Sequence, residues 1–427
     1  MRIKNLLSIV IPVYAQSGAL ERTLASLAQQ SADRDRFEIV LVDDASPGPV
    51  ADVSGRFGEL PIRVERHATN RGRSAARNTG FRAAKGEDIL FLDADSVAHP
   101  DLVRTHLELA SAGGERVVLG RRIEPSWATA RSLTSPGALR GAVSDLQDDI
   151  RRAFGVEDVE ALHGSPWLFA HSHNLSVSRT AIEAVGGFDE NFRTWGWEDT
   201  EFAYRLFLHW GRDGSRFGYA PDAVCYHVPH FANHAKNWSE ATVGLRYLKQ
   251  KHPHFDVERL GGWPRHQILT QPAHAAFLLR PGGASESAFK ELQGELPAGT
   301  RRLWAGRLAG PLADAPAATM DCTRPATELN KPLLGMDTPW DDDSFDDVVH
   351  WDNWRVLGVG DLSACIAECL RLAPVLYLAG TRDLDHPVPV AEPADVALAL
   401  ESSHLDVREL PGLSSVWITE VRRREPR

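Results

Sequence analysis

The sequence is poor in cysteine and offers no pattern in which cysteine would organise a fold. Only four cysteines occur among the 427 residues, and none forms the Cys-x-x-Cys pair that is typical of zinc sites. A structural zinc site and a disulfide framework are therefore not indicated. Buried thiols in a reducing compartment are expected instead.

Long apolar runs are also missing. No stretch approaches the roughly 18 consecutive apolar residues that a membrane-spanning helix needs. The N-terminal run from Leu6 to Val13 is too short to span a bilayer, and Pro12 interrupts it, so no signal peptide is expected. We therefore expect a cytoplasmic protein without an integral membrane segment.

The chain lacks an excess of positive charge. Its 47 basic residues are outnumbered by 58 acidic ones, which gives a net charge of −11. This balance argues against nucleic acid or an anionic membrane as the main partner and suits a mildly acidic enzyme. A chain of 427 residues also exceeds one ordinary hydrophobic core, so at least two domains are expected.

What the N-terminal part does contain is an alternation of apolar strands and amphipathic helices. Strands are predicted at Leu6–Tyr14, Phe37–Val42, Ile62–Glu65 and Ile89–Leu92, and a helix capped by Ser17 follows the first strand. Such alternation predicts an α/β fold, with a parallel sheet, right-handed crossovers and helices on both faces.

Carboxylates end two of the predicted strands. Asp43 and Asp44 follow the second strand, and Asp93 and Asp95 follow the fourth. Each pair could simply cap the next turn, since Asp is favoured there. However, the carboxyl ends of parallel strands meet at one edge of a sheet, where ligands bind. The Asp93 and Asp95 pair would suit a divalent cation that shares oxygen ligands with a substrate phosphate.

Several motifs occur in one order along the chain. They are Ser8–Tyr14, Val42–Ser46, Asn70–Gly72 with Ala76–Asn78, Leu92–Asp95, Asn174–Arg179, Gly186–Glu190 and Trp195–Asp199. This series resembles the successive signatures of family 2 glycosyltransferases. The resemblance covers roughly residues 6 to 235. It implies a GT-A fold, which is a Rossmann-like, mostly parallel sheet, and an inverting, nucleotide-sugar-dependent reaction that uses Mg²⁺ or Mn²⁺.

The resemblance also implies roles for individual residues on the donor side. The nucleotide would be held by Pro12, Val13, Tyr14, Asp44, Arg77 and Asp93. A carboxylate such as Asp44 can accept the imide N–H of a uracil-type base. The cation would be bound by Asp93, Asp95 and His227, although a lone His such as His227 could equally be a packed or exposed imidazole.

On the acceptor side, the resemblance places the general base at Asp199, with Glu198 orienting the acceptor. Trp195 and Trp197 would stack on the acceptor, and Gly187 would let the backbone approach the donor sugar. Acids at a helix start can also merely offset the helix dipole. Two further residues, His171 and His173, fit the acceptor site or the core better than a metal site and stay unassigned.

The C-terminal third has a second alternation of strands and helices. We divide the chain into a GT-A domain at residues 1–255, a linker and helical connection at 256–300, and a smaller α/β domain at 301–427. The last domain resembles a degenerate half of a class I methyltransferase, but Leu308–Leu312 lacks the Gly-rich cofactor loop of that family. A structural role or a role in forming a homodimer is therefore expected, and a bifunctional protein with a C-terminal methyltransferase stays open.

Together these features predict an inverting hexosyltransferase that uses a nucleotide sugar, UDP-glucose or a similar donor. The acceptor would be a hydroxyl of a small soluble natural product or pseudo-sugar, and synthesis of a polysaccharide or lipid-linked glycan is the alternative. A non-catalytic scaffold that binds sugar nucleotides also stays open. A nucleotidyltransferase is disfavoured, because Tyr14–Gly18 lacks the Gly-rich basic loop expected after its first strand.

Overall fold

The computed structural model describes residues 3–48, 50–111, 113–124, 165–227, 234–258, 260, 277–280, 285–298, 301–307, 318–382, 384, 390–400, 405–410 and 414–423. The chain divides into two compact units, Met1–Gly244 and Leu245–Arg427. The three-part division predicted from the sequence stays a prediction.

The first unit is built on a mixed sheet. Its strands are β1 (Ile3–Val13), β2 (Phe37–Asp43), β3 (Ile62–Arg66), β4 (Gly86–Leu92), β5 (Ser96–Ala98), β6 (Val117–Ile123), β7 (Asn174–Ser178) and β8 (Phe217–His227). Within the described ranges their order is β3-β2-β1-β4-β7-β6-β8-β5. The strands β3, β2, β1 and β4 are parallel, as predicted, but β7 is antiparallel to β4 and β6, and β5 is antiparallel to β8. The sheet is therefore less parallel than expected, because β5 and β7 run opposite to the other strands.

Helices lie between these strands, and a last one follows β8. They are α1 (Ser17–Leu27), α2 (Val50–Ser54), α3 (Arg73–Ala83), α4 (Leu102–Ser111), α5 (Arg179–Val185), α6 (Glu198–His209) and α7 (His234–Lys251). The cap predicted at Ser17 is wrong by one residue, since Gln16 occupies the N-cap position of α1 and Ser17 is already helical. No described helix combines the length and the apolar character needed to cross a bilayer.

The central strand β1 is buried on both faces. Ile9 and Ile11 pack in one cluster with Leu20 and Leu24 of α1, and all four are fully buried. Burial of such a side chain stabilises a fold by roughly 1.5–3 kcal/mol. On the opposite face α3 lies directly on the sheet at Gly80, where a Cβ atom would stand 2.3 Å from Cγ1 of Val10. This close approach sets α3, which carries several of the predicted site residues, against the sheet.

The second unit contains another mixed sheet. Its strands are β9 (Arg302–Gly306), β10 (Ala318–Met320), β11 (Asp347–Trp351), β12 (Val375–Thr381), β13 (Leu405–Leu410) and β14 (Val416–Arg423). Across the part of this unit that is described, the order is β10-β9-β11-β12-β14-β13. The first four are parallel, and β14 is antiparallel to both of its neighbours.

The end of α7 lies in the second unit, and the helices named in its described residues after α7 are α8 (Phe255–Glu258), α9 (Glu286–Glu295), α10 (Val359–Leu372) and α11 (Pro393–Leu400). Phe289 and Leu292 of α9 pack in one cluster with Trp304 and Tyr377 of the sheet. Ile366 of α10 belongs to a separate cluster. The unit is α/β, as predicted, whereas its likeness to a methyltransferase stays a prediction. All four cysteines of the chain are buried thiols, as expected.

Candidate active site

Asp44 is buried at the carboxyl end of β2 and holds the loop that leads into α3. Its Oδ1 accepts the backbone N–H of Arg71 at 2.8 Å and lies 2.6 Å from Nδ1 of His67. Its Oδ2 accepts the backbone N–H of Gly72, also at 2.8 Å. A carboxylate offers about four acceptor positions, and three of them are used here by described donors. Asp44 can therefore accept one further hydrogen bond, the number that a base imide requires.

The neighbouring Asp43 has a structural role. Its Oδ1 accepts the backbone N–H of Ser46 at 2.8 Å, and its Oδ2 is paired with Arg66. These contacts close the turn after β2, and they leave Asp44 as the acid of this pair that is available to a ligand.

The end of β1 lies beside this turn. The backbone N–H of Asp44 donates to the carbonyl of Val13 at 2.9 Å, and Ala15 N–H donates to Oγ of Ser46 at 3.1 Å. Tyr14, between these contacts, is 50% exposed. The predicted nucleotide residues Pro12, Val13 and Tyr14 are thus brought next to Asp44.

Arg77 of α3 links two distant parts of the chain. Its Nη1 donates to Oε1 of Glu198 at 3.0 Å, and its Nη2 lies 3.5 Å from Oδ1 of Asp93. The guanidinium carbon is 5.4 Å from the ring centre of Phe188. Burial by itself lowers the pKa of Arg77, but the carboxylates of Glu198, Asp93 and Asp199 outweigh it and raise that pKa. A permanent cation therefore lies between the end of β4 and the start of α6.

Asp95 and His227 form a second group. Asp95 is buried, and its Oδ2 lies 3.4 Å from Nε2 of Gln16 and 3.5 Å from Nε2 of His227. The other ring nitrogen, Nδ1 of His227, lies 2.9 Å from Oε2 of Glu124. Burial lowers the pKa of His227, but the two carboxylates outweigh this effect and raise that pKa to about 9.

This arrangement bears on the predicted cation site. Among the residues that the structure describes, no group of three or more His, Cys, Asp and Glu side chains is placed to hold a metal ion. Asp95 and His227 approach each other, whereas Asp93 is turned toward Arg77. A cation bound by this pair would need ligand oxygens to complete its coordination, and His227 would have to give up a proton.

Asp199 lies in the first turn of α6. Its Oδ2 accepts the backbone N–H of Ser172 at 3.2 Å and lies 3.6 Å from Nδ1 of His171. Burial raises the pKa of Asp199, but His171, Arg77 and the N–H of Ser172 outweigh it and hold that pKa well below its usual range. Asp199 is therefore an ionised carboxylate at neutral pH, with 18% of its side chain exposed.

Glu198 precedes it and is more deeply buried. Its Oε1 accepts the bond from Arg77, whereas Oε2 has no hydrogen-bond partner among the described residues. A buried carboxylate oxygen without a donor is costly, and such atoms are often completed by a ligand or water. A ligand hydroxyl that donates a hydrogen bond to Oε2 would remove that cost.

The Trp195 to Trp197 turn leads into α6. Trp195 is 41% exposed, and its backbone N–H donates to Oε2 of Glu240 on α7 at 3.0 Å. Trp197 has a φ of +73°, which is a strained conformation for a bulky residue. Its carbonyl accepts the N–H of Glu201 at 2.9 Å, so the strained residue forms the first turn of α6.

Asn78 of α3 clamps the segment after Gly187. Its Oδ1 accepts the N–H of Phe188 at 2.8 Å, and its Nδ2 donates to the carbonyl of Phe188 at 2.8 Å and to Glu190 at 3.0 Å. The predicted donor-sugar residue Gly187 is thus fixed against α3, one residue along from Arg77.

The structure therefore sorts the predicted site residues into groups. Pro12, Val13, Tyr14 and Asp44 form the first, and Arg77, Asp93, Glu198 and Asp199 the second. Asp95 and His227 form the third group. Gly187 is packed against Asn78, and the acceptor-site tryptophans lie along the turn before α6.

Several neighbours of these residues were missed by sequence reasoning, in particular Gln16, Glu124 and Glu240. Glu124 follows β6, so the same rule that selected Asp93 could have found it. Gln16 and Glu240 carry no local signal, since only the folded chain brings them to Asp95 and Trp195.

The fold and this geometry define an α/β protein whose ionised side chains gather where strands of a mixed sheet end, the location of ligand sites in such folds. Residues 8–158 match the model of glycosyl transferase family 2, and residues 171–230 match that of the N-terminal domain of galactosyltransferase. These matches confirm the predicted resemblance of this part of the chain to family 2 glycosyl transferases.

Two relatives with known names illustrate the range of similar proteins. Validoxylamine A glucosyltransferase of Streptomyces hygroscopicus subsp. jinggangensis (strain 5008) is 32% identical over 263 residues, which cover 58% of this chain and 61% of that protein. Chondroitin synthase of Escherichia coli is 29% identical over 270 residues, which cover 58% of this chain and 39% of that protein. The chain thus matches less than two thirds of the length of either relative.

Among solved structures, that of S. aureus TarS 1-349 in complex with UDP-GlcNAc overlaps with a TM-score of 0.45 and 17% identity, covering 68% of this chain and 76% of that chain. The mannosyltransferase PcManGT from Pyrobaculum calidifontis, in complex with GDP-Man and Mn²⁺, overlaps with a TM-score of 0.40 and 19% identity, covering 68% and 80%.

Proposed function

We propose that the chain is an inverting glycosyltransferase that moves a hexose from a nucleotide sugar, UDP-glucose in the first instance, to a hydroxyl of a small acceptor. The observation that carries this proposal is the Arg77 guanidinium, which ties Asp93 after β4 to Glu198 beside Asp199. A fixed cation and an ionised carboxylate side by side suit a reaction in which a diphosphate leaves while a hydroxyl loses its proton.

In this proposal the nucleotide lies along the ends of β1 and β2. Pro12, Val13 and Tyr14 contact the base, and Asp44 uses its remaining acceptor position for the imide N–H. Arg77 and Asp93 then face the diphosphate end of the donor. Arg77 keeps its positive charge there, because three carboxylates raise its pKa.

We further propose that Asp95 and His227, together with Asp93 and oxygens of the donor diphosphate, hold Mg²⁺ or Mn²⁺. Such an ion, when bound, would offset the charge that grows on the leaving diphosphate. Mn²⁺ titrated into the protein with UDP present should give a binding signal by calorimetry that Asp95→Asn weakens. Equal binding by this variant would exclude Asp95 as a ligand.

Asp199 is the proposed general base. Its carboxylate accepts the proton of the acceptor hydroxyl while that oxygen bonds to the anomeric carbon and the bond to the diphosphate breaks. Because a single displacement inverts the carbon, the product has the anomeric configuration opposite to that of the donor. Glu198 orients the acceptor through Oε2, Trp195 and Trp197 provide apolar ring faces, and Gly187 keeps the backbone close to the donor sugar.

The acceptor class rests on the relatives. The name of one relative specifies glucose transfer to validoxylamine A, which supports a small natural product or pseudo-sugar as acceptor. The chondroitin synthases support the alternative of a growing polysaccharide. A hydrolysis and transfer screen should separate them: UDP-glucose, UDP-galactose and UDP-N-acetylhexosamines are tested with Mg²⁺ or Mn²⁺, against validoxylamine A and against chondroitin oligosaccharides. Turnover only with an oligosaccharide would replace the small-acceptor proposal.

For the second unit we propose a structural or dimerising role. The bifunctional alternative predicts that S-adenosylmethionine binds, and a calorimetric titration of the whole protein tests this directly. Either role predicts no heat of binding, and the dimerising role also predicts a dimer in sedimentation velocity. A saturable binding curve would favour the bifunctional protein instead.

A further inference from the structure

Two histidines on the segment before β7 lie beside the proposed base. The rings of His171 and His173 are stacked with their centres 5.9 Å apart, and Nδ1 of His171 lies 3.6 Å from Oδ2 of Asp199. The next residue, Ser172, donates its backbone N–H to the same oxygen at 3.2 Å. One short segment therefore presents both an N–H group and an imidazole to one oxygen of Asp199.

The surroundings of Asp199 make it a poor final holder of a proton. Arg77 and the Ser172 N–H favour the ionised form, and the α6 N-terminus adds its own positive dipole. A proton taken from an acceptor hydroxyl needs a further place to go. The ring of His171 is the neighbouring group that can accept this proton. Its side chain is 30% exposed, so the ring also reaches solvent.

We propose that His171 positions Asp199 and carries the acceptor's proton away from it. This inference rests on the proposed glycosyl transfer. As the new glycosidic bond forms and the diphosphate leaves, the hydroxyl proton passes to Asp199 and then to Nδ1 of a neutral His171. The imidazolium then releases the proton on Nε2 to water, and exchange with solvent moves the remaining proton from Nδ1 to Nε2, which restores the starting tautomer while Asp199 is again a carboxylate. Among the described residues, the titratable and charged groups near this pair are Glu198 of α6, Arg77 of α3, and His173 on the segment of His171 itself.

The test compares His171→Gln with His209→Gln. His209 is a matched control, since its Nε2 also lies 3.6 Å from a carboxylate oxygen, that of Glu115, and its side chain is 38% exposed. His171→Gln should lower kcat by at least about 10-fold, with little change in the KM of the donor, whereas His209→Gln should leave both unchanged.

A second variant separates proton transfer from simple support. Added imidazole should restore part of the kcat of His171→Ala, since a free ring can occupy the vacated space and accept the proton. Wild-type kcat in His171→Gln would overturn the inference, as would a loss of kcat in His171→Ala that added imidazole does not restore. Failure of the wild type to transfer any sugar would instead refute the proposed function on which the inference rests.

Discussion

Substitution of Asp199 tests the proposed general base directly. Asn at this position keeps the size of the side chain and can still accept the N–H of Ser172, but it cannot take a proton. Asp199→Asn should therefore lower kcat by roughly 10²- to 10⁴-fold in steady-state assays of UDP release. Thermal unfolding should change little.

Asp52→Asn is the matched control for this variant, because Asp52 also lies in the first turn of a helix, α2, but is exposed. It should retain full activity. An Asp199→Asn protein that turns over at the wild-type rate would remove the general base from the proposed mechanism.

Individual site residues could be predicted from the sequence where they lie at the end of a strand or the start of a helix. Asp44, Asp93 and Asp199 could be selected in this way, because the carboxyl ends of strands share an edge. The partners of Asp199 and Asp95 could not, because His171 and Gln16 reach them only through contacts between segments 28 or more residues apart. The prediction that Asp93 and Asp95 face one ligand also did not anticipate that Arg77 draws Asp93 toward α6.

Among the structural elements, the turn after α5 offers a paired test of close packing. Gly186 and Gly187 have φ values of +78° and +79°, so alanine is strained at either position. A Cβ at Gly187 would stand 2.5 Å from Oδ1 of Asn78, whereas one at Gly186 would meet nothing within 4 Å. Gly186→Ala should cost about 1 kcal/mol, the ordinary penalty for this conformation.

Gly187→Ala should destabilise the protein by more than this, because the methyl group also displaces Asn78. It should raise the KM of the donor as well, since Asn78 lies next to Arg77. Urea unfolding and donor titrations of both variants provide the measurements. Equal losses of stability in the two variants would mean that the Asn78 side chain moves away from the added methyl group without a measurable cost.

The loop at Leu334–Asp337 of the second unit should be sensitive to pH through Glu258 of α8. The buried carboxylate accepts backbone N–H groups from this loop, yet burial outweighs those bonds and raises its pKa to about 7. Because the folded pKa is above the ordinary value, the folded state binds the proton more tightly. The stability from this group is full below about pH 4.5 and is lost as the pH rises to about 7, a change on the order of 3 kcal/mol.

Glu258→Gln cannot titrate, so its stability should depend less on pH over this range. Hydrogen exchange of the Leu334–Asp337 amides, measured between pH 4.5 and 7 and corrected for intrinsic rates, reports on the loop itself. Glu286→Gln is the control, since Glu286 is exposed and paired with Lys290. Identical pH slopes for wild type and Glu258→Gln would show that Glu258 does not govern this loop.

For the whole molecule, the sequence predicted two α/β sheets, and both are present. The parallel half of the first sheet could be predicted, because β1, β2, β3 and β4 alternate with helices along the chain. The order of the later strands could not, because β6, β7 and β8 pair across long connections that no local pattern records. The roles of the site residues and the boundaries of the domains stay predictions.

The most direct test of the whole account is the anomeric configuration of the product, determined by proton NMR after transfer from an α-linked UDP-hexose. We propose that Asp199 is the base in a single displacement at the anomeric carbon and that Arg77 stabilises the leaving diphosphate. Because a single displacement inverts that carbon, the product should be β-linked. A product that retains the α configuration, or the absence of product from every nucleotide sugar and acceptor tested, would contradict it.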